Sequence, residues 1–298
     1  MSLPVTEQLH PAAKGFDTLP GAAILSHLLA AQAAAVQAVS NAVPQIEAAS
    51  ALMAQALRGA GRLVYAGAGS SGLMAVADGL ELAGTFGVDP ARVLLLMAGG
   101  LPVDARMPGD TEDDAEEGAR AAAGLQAGDV VIAVTASGRT PFALAVARTA
   151  QRQGAKVIGI ANAKGAALFA HADVAICLPT PPEVLAGSTR MGAGTAQKVA
   201  LNMMSTLMGI QLGQVHDGMM VGLVADNDKL RARATATVSA IAAVEGPIAG
   251  RALDAAHGAV KPAVLIALGQ APDRASALLN DTDGNLRAAL ARIRKTSV

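Results

Sequence analysis

The chain contains few aromatic residues and almost no cysteine. Of its 298 residues 2% are aromatic, tryptophan is absent, and Tyr65 and Cys177 are the single tyrosine and cysteine. A lone cysteine excludes a disulfide within the chain and fits a reducing compartment, so we expect a cytoplasmic protein. Cys177 lies in an apolar run and is predicted to be a buried strand residue rather than a nucleophile.

An excess of charge of either sign is also missing. The formal net charge is −1, from 23 basic and 24 acidic residues, and no basic block interrupts the sequence. Nucleic acid is therefore not an expected partner. The N-terminal region shows no basic segment followed by a compact apolar core, so we expect no secretion signal. The apolar stretch over residues 22–43 contains several polar side chains, which predicts an amphipathic helix rather than a membrane span.

Two glycine-rich turns, each following a short apolar run, are the most informative feature of the sequence. The first reads Gly67-Ala-Gly-Ser-Ser-Gly72, and the second reads Ala136-Ser-Gly-Arg-Thr-Pro141. Each pattern is typical of a buried strand that ends in a turn and opens a helix. Backbone N–H groups and hydroxyls converge at such a turn, at the positive end of the helix dipole, where they suit a phosphate. The expected phosphate ligands are Ser70, Ser71, Ser137, Gly138 and Thr140.

Apolar runs alternate with helical patterns through the middle of the chain. This alternation predicts an α/β fold, a doubly wound, parallel, five-stranded sheet with flanking helices. The strands are expected at Leu63–Ala66, Arg92–Met97, Asp129–Thr135, Lys156–Ala161 and Val174–Leu178. We expect an N-terminal helical segment (1–58), a ligand-binding domain (59–235) and a small C-terminal module of three helices (236–298).

The two turns, together with a third segment, resemble a known family. The third segment is Gly187-Ser-Thr-Arg-Met-Gly-Ala-Gly-Thr-Ala-Gln-Lys198, and the likeness continues into Asp226-Asn-Asp-Lys-Leu230. These residues are similar to those of the N-acetylmuramic acid 6-phosphate etherases, which belong to the sugar isomerase (SIS) superfamily. The resemblance implies a SIS-type αβα sandwich. Ser188 and Thr189 are then expected to line the sugar, and Lys229 to bind its lactyl carboxylate.

The resemblance implies a lyase of cell-wall sugar recycling. Such an enzyme cleaves the D-lactyl ether of N-acetylmuramic acid 6-phosphate to N-acetylglucosamine 6-phosphate and D-lactate. The family uses two glutamates, which match Glu81 and Glu112. By this likeness Glu81 is the general acid on the ether oxygen, and Glu112 is the base that takes the C2 proton. The elimination requires no metal or redox cofactor, and the histidines show no metal-ligand spacing.

The two carboxyls must differ in protonation for this chemistry. Glu112 lies near the start of a helix predicted from Asp110 to about Ala123, where the dipole favours its anion. Glu81 lies near the end of a predicted helix beside apolar residues, where we expect burial to favour the acid. An unbroken helix would separate Ser71 from Glu81 by about 15 Å. Either Glu81 serves the substrate of a neighbouring subunit or the helix breaks at Gly79; the apolar N-terminal helix likewise suggests a homodimer.

Two alternative functions stay open. A SIS-type sugar-phosphate isomerase also needs a carboxylate base, and a non-catalytic sugar-phosphate-binding regulator needs only the turns. Residues near the proposed site, Leu73, Leu82-Ala-Gly84 and Gly192, differ from the family pattern and leave the exact sugar phosphate open. The presence of both Glu81 and Glu112 favours the lyase, because a binding protein needs neither.

Overall fold

The computed structural model describes residues 5–107, 109–224 and 228–296. Asp226 and Asn227, in the motif that contains Lys229, therefore lie outside the described residues. The chain forms two compact units. The first contains residues 1–80 and 91–207, and the second contains residues 81–90 and 208–298.

The first unit contains a five-stranded sheet in which every neighbouring pair is parallel. The strands are β1 (Leu63–Gly67), β2 (Val93–Met97), β3 (Val130–Thr135), β4 (Lys156–Ala161) and β5 (Val174–Cys177). Their order across the sheet is β2-β1-β3-β4-β5. The predicted doubly wound α/β fold is confirmed, and the strands differ from the predicted ones only at their ends.

The strand order places a topological switch between β1 and β3. The chain leaves β1 to form β2 on one side, then passes β1 again to form β3 on the other side. The connections diverge at such a point and leave a crevice outside the carboxyl ends of the strands. The two glycine-rich turns follow β1 and β3, so both open at this crevice.

Helices cover both faces of this sheet. The helices that flank the sheet are α2 (Val43–Arg58), α3 (Gly69–Phe86), α4 (Ala115–Ala121), α5 (Pro141–Arg152) and α6 (Gly192–Gln211), and they are preceded in the chain by α1 (Gly21–Ala38). On one face Val64 and Val131 pack against Phe142 of α5. On the other face α3 approaches closely at Gly79, where a Cβ atom would lie 2.7 Å from Leu95. The helix does not break at Gly79, since α3 continues to Phe86. The glycine instead allows α3 to pack closely against the sheet.

The N-terminal helices are apolar, and α1 is largely exposed. A 3₁₀ turn at Val39–Ala42 separates α1 from α2, and Pro44 lies in the first turn of α2, where its missing N–H costs nothing. Within α1, which the structure describes completely, Ala35 alone is buried. Among the described residues, Gly21–Arg58 is the one stretch long and apolar enough to cross a membrane. A single stretch of this kind near the N-terminus is a weak indication, because signal sequences and core helices share its composition.

The second unit is built mainly from helices. They are α7 (Asp228–Ala242), α8 (Gly246–Ala255), α9 (Val260–Ala267), α10 (Pro272–Asn280) and α11 (Leu286–Thr296). The described part of the tail thus holds four helices, α8 to α11, where three were expected, because a turn at Gly284 with φ of 70° separates α10 from α11. A short hairpin, β6 (Val215–His216) with β7 (Met219–Met220), was not predicted. Its Asp217-Gly218 turn has positive φ at both residues, which suits a two-residue hairpin.

An ion pair between a partly exposed arginine and a buried aspartate holds the amino ends of β1 and β3 together. Arg62 directly precedes β1 and Asp129 directly precedes β3, and their side chains lie 2.7 Å apart. The Asp129 carboxylate also accepts bonds from the backbone N–H groups of Arg62 and Gln126. Burial opposes ionisation of Asp129, but the bonds from Arg62 and Gln126 hold the pKa of this carboxyl below its ordinary value.

We expect Asp129→Asn to lower the free energy of unfolding at pH 7 by about 2 kcal/mol, because the buried position loses the charge-assisted hydrogen bonds that the carboxylate accepts from Arg62 and Gln126. A carboxyl with a lowered folded pKa contributes stability above its unfolded pKa and loses it as the pH falls. The difference between wild type and variant should therefore shrink below about pH 4, in urea unfolding followed by circular dichroism.

Asp173→Asn is the matched control for Asp129→Asn. Asp173 precedes β5 and pairs with Lys156, but this pair is more exposed. Its loss should cost about 1 kcal/mol or less. Equal losses for the two variants, or a loss at Asp129 that is unchanged at low pH, would contradict the assignment.

Candidate active site

The first glycine-rich turn connects β1 to α3 through a very close approach of its own backbone. A Cβ atom on Gly67 would lie 2.9 Å from the Cα atom of Gly72. Gly69 has φ of 52°, in the left-handed region that favours glycine. Ser70 and Ser71 follow in the first turn of α3, Ser70 partly exposed and Ser71 buried. The turn therefore places both serines at a helix N-terminus that opens at the crevice.

The second turn connects β3 to α5 and depends on Gly138. This residue has φ of 70°, and a Cβ atom there would lie 2.1 Å from the Cβ atom of Ala166. Ser137 Oγ accepts a bond from the N–H of Arg139 at 3.2 Å. The hydroxyls of Thr135 and Thr140 lie 2.7 Å apart, immediately before Pro141 begins α5. Because β1 and β3 are neighbours, the structure brings this turn and the first one to the same crevice.

The third segment leads into α6 through a series of backbone turns. Ser188 and Thr189 are partly exposed in this segment. The buried carboxylate of Glu183 accepts the N–H groups of Gly192 and Ala193 at 2.9 and 2.8 Å. The N-terminus of α6 is therefore neutralised by a carboxylate of the chain itself and is not a third phosphate site.

Glu112 lies beside the first turn. A Cβ atom on Gly69 would lie 3.9 Å from Glu112 Oε2, and the Glu112 side chain is exposed. The helix expected to start at Asp110 begins only at Ala115. Asp114 is its N-cap and accepts the N–H of Glu117 at 2.7 Å. The helix dipole thus acts on Asp114, and the dipole argument for Glu112 is wrong.

Glu81 and Lys229 belong to the second unit. Glu81 lies in the part of α3 that continues to Phe86, so it precedes the last helical turn, where the dipole acts most strongly. Its side chain is exposed, and the expected burial is not found. Lys229 is exposed in the first turn of α7. Both residues therefore lie outside the unit that contains the two glycine-rich turns.

Comparison with known proteins gives consistent results along the chain. Residues 27–162 match the family model described as SIS domain. The chain is 40% identical to the N-acetylmuramic acid 6-phosphate etherase of Deinococcus radiodurans, over 96% of this chain and 94% of that protein. It is 41% identical to the etherase of Streptomyces avermitilis, over 96% of this chain and 93% of that protein.

The chain belongs to the N-acetylmuramic acid 6-phosphate etherase family. Among solved structures, it is similar to a Bacteroides fragilis protein described as a phosphosugar isomerase involved in capsule formation. That similarity has a TM-score of 0.53 and 19% identity, and covers 67% of this chain and 95% of the other. At this identity the similarity shows the SIS fold alone.

Two buried polar groups of this etherase-family chain were not recognised in the sequence. Asp78 of α3 accepts hydrogen bonds from the hydroxyls of Tyr65 and Ser205 at 2.8 and 2.9 Å, which fixes α3 against β1 and α6. Burial, together with the nearby charge of Asp78, raises the pKa of Tyr65 well above its ordinary value. Gln197 of α6 donates to Ser71 Oγ at 3.0 Å. The one indication of Gln197 in the sequence was that it lies in the segment that carries the family resemblance.

The single cysteine and the potential metal ligands were also located in the structure. Cys177 lies in β5 as predicted, but it is only half-buried, where a buried residue was expected. Burial raises the pKa of its thiol, and the charge of Lys164 partly opposes this shift. In the ranges 5–107, 109–224 and 228–296, no three His, Cys, Asp or Glu side chains are grouped so that they could hold a metal ion.

We expect Gly138→Ala to destabilise the protein by about 2 kcal/mol more than Gly165→Ala. Both glycines have φ near 70°, so both variants share the cost of a left-handed alanine, about 1–2 kcal/mol. A Cβ atom at Gly165 meets nothing within 4 Å, whereas the one at Gly138 meets Ala166, which adds an overpacking cost. Denaturant unfolding of the two variants measures the difference, and equal costs would show that the second turn tolerates a side chain.

Proposed function

We propose that this chain is a carbon–oxygen lyase that cleaves the D-lactyl ether of N-acetylmuramic acid 6-phosphate. The products are N-acetylglucosamine 6-phosphate and D-lactate, in the recycling of cell-wall amino sugars in the cytoplasm. The observation that carries the proposal is the convergence of two hydroxyl-rich glycine turns at one crevice with Glu112 beside the first, in a chain 40% identical to etherases over 96% of its length.

The phosphate of the substrate binds where the two turns meet. The N-termini of α3 and α5 supply backbone N–H groups and the positive ends of two helix dipoles. Hydroxyl groups add donors that suit phosphate oxygens. The proposed phosphate ligands are Ser70, Ser71, Ser137, Gly138 and Thr140. Ser188 and Thr189 line the sugar, and Lys229 binds the lactyl carboxylate.

The reaction is an elimination followed by an addition. In the ring-opened sugar C1 is an aldehyde, so the C2 proton is acidic and the C3 ether lies β to the carbonyl. Glu112 removes the C2 proton, the C2–C3 double bond forms, and the C3–O bond breaks as Glu81 donates a proton to the departing lactate oxygen. Water then adds to C3 of the unsaturated aldehyde. Each of the two proton transfers contributes about 10²–10⁴ in rate.

A second copy of the chain is the proposed partner. In α1 the side chains of Leu25, Leu29 and Val36 are 66%, 72% and 43% exposed, and their spacing places them on one face of the helix. An 18-residue helix with a single buried residue gains little from packing within its own chain. We propose that the same face of another subunit covers it, and that Glu81 acts on the substrate bound by the partner subunit.

We expect Glu112→Gln to lower kcat for D-lactate release by about 10²–10⁴ with little change in KM, because it removes the base and leaves the phosphate turns intact. Glu81→Gln should lower kcat by a similar factor, yet still exchange the C2 proton with deuterium from solvent, since its base is intact. D-lactate is measured by a coupled dehydrogenase assay, and exchange is measured by NMR.

Glu116→Gln is the matched control for these variants, because Glu116 is an exposed acid of the same acidic stretch. It should leave lactate release unchanged. Release that persists in Glu112→Gln would contradict the base assignment. Conversion of a phosphorylated aldose to a ketose without lactate would favour the isomerase, and binding without turnover would favour the regulator.

Mixed oligomers test whether Glu81 acts across subunits. If each site takes Glu112 from one subunit and Glu81 from the other, a dimer of one Glu81→Gln and one Glu112→Gln subunit contains one intact site and one site that lacks both glutamates. Random mixing makes half of the dimers mixed, so about a quarter of wild-type lactate release should return. Each variant alone is the control, and a mixture no more active than either variant would contradict sharing across the interface.

A further inference from the structure

Gln197 of α6 is a wholly buried amide whose two side-chain N–H groups are both used. Its Nε2 donates to Ser71 Oγ at 3.0 Å and to Asn162 Oδ1 at 2.8 Å. Its Oε1 has no hydrogen-bond partner in the described part of the chain. Because Oε1 makes no hydrogen bond there, only the two bonds donated by Nε2 determine how this amide is oriented. Leaving a buried amide oxygen without a partner costs free energy, so these two bonds must outweigh that cost.

The direction of these bonds is set by a backbone carbonyl, which can only accept. Asn162 Nδ2 donates to the carbonyl oxygen of Ala193 at 3.4 Å. Asn162 must then present Oδ1 to Gln197, and Gln197 must present Nε2 in return. The reversed arrangement would place the Asn162 oxygen against the carbonyl of Ala193. The same Nε2 therefore faces Ser71, whose Oγ accepts a bond.

This direction matters because a serine hydroxyl has one proton. Ser71 Oγ already accepts from Gln197, so its O–H is left to donate elsewhere. Phosphate oxygens are acceptors, and a hydroxyl that presented its lone pairs to them would repel them. If the amide of Gln197 were an acceptor instead, the Ser71 proton would be used inside the protein.

We propose that Gln197, held by Asn162, is a positioning residue that directs the Ser71 O–H toward the phosphate of the substrate. The inference deepens the proposed function and rests on it for the identity of the sugar. It assigns a role to two buried amides that touch no substrate. The same arrangement would apply to any sugar phosphate bound at the first turn.

The first test replaces the amide by a carboxyl in Gln197→Glu. When ionised, the carboxyl accepts the Ser71 proton and adds a negative charge beside the phosphate, so KM at pH 8 should rise about 100-fold. Burial raises the pKa of the introduced carboxyl, and its protonated form recovers a donor as the pH falls. At pH 6 the KM ratio of variant to wild type should therefore fall to about 10 or less, with kcat nearly unchanged throughout.

Gln153→Glu is the matched control for the added charge. Gln153 is the exposed C-cap of α5, so it lies at the opposite end of this helix from the second turn. Its KM ratio should stay near 1 at both pH values. A Gln197→Glu ratio that does not depend on pH, or a change confined to kcat, would overturn the proposal.

The second test is a double-mutant cycle with Gln197→Met and Ser71→Ala. Gln197→Met keeps much of the volume and removes both donors, so KM should rise about fivefold, the effect of one neutral hydrogen bond. In the Ser71→Ala background the same change should have no further effect on KM, because the amide acts through the serine hydroxyl. Equal increases in both backgrounds would show a merely structural role and overturn the proposal.

Binding of N-acetylglucosamine 6-phosphate by calorimetry separates this proposal from the proposed function. Thermal unfolding of each variant confirms that a folded protein is being compared. If wild type releases no lactate yet binds the sugar phosphate, the lyase assignment fails, and the same affinity ratios among the variants still support the role of Gln197. Affinities that do not differ between wild type and Gln197→Glu at pH 8 would overturn it.

Discussion

The parallel pairing of β1 with β3 is the constraint on which the rest of the structure depends. The two strands are in register from Leu63 opposite Val130 to Gly67 opposite Val134. At their amino ends the ion pair of Arg62 with the buried Asp129 supports this register. At their carboxyl ends the same register brings two helix N-termini to one crevice. A shift of one residue would turn the strand side chains to the opposite face and separate the hydroxyls that a phosphate needs.

The sheet could be predicted from the sequence because its information is local. Strands buried on both faces read as continuous apolar runs, and the turns that follow them carry glycines at positions of positive φ or close approach. Local information was not enough to locate the start of α4, which was predicted at Asp110 and lies at Ala115. Several acids in succession can each cap a helix, and only the geometry shows that Asp114 is the residue that does so.

Contacts between distant segments could not be read from the sequence in this way. The bond between Gln197 and Ser71 joins residues 126 positions apart, and the close packing at Gly79 depends on strand β2. Neither leaves a periodic signal, because a glutamine in a helix reads as an ordinary exposed residue and a glycine in an apolar helix reads as an ordinary small core residue. The family resemblance marked Gln197 only as part of a motif and gave no indication of what its side chain contacts.

The proposed reaction requires Glu81 and Glu112 to differ in protonation, and this requirement falls on the assembled and loaded enzyme. Both side chains are exposed in the single chain, and the helix that was expected to start before Glu112 starts after it, at Ala115. In the proposed reaction the phosphate site would supply part of this difference, because its proposed ligands are backbone N–H groups and hydroxyls, which carry no full positive charge. Glu81, as the proposed general acid, must hold its proton, and removal from water favours the protonated form of a carboxyl. In the proposal, the covering subunit is what would remove Glu81 from water.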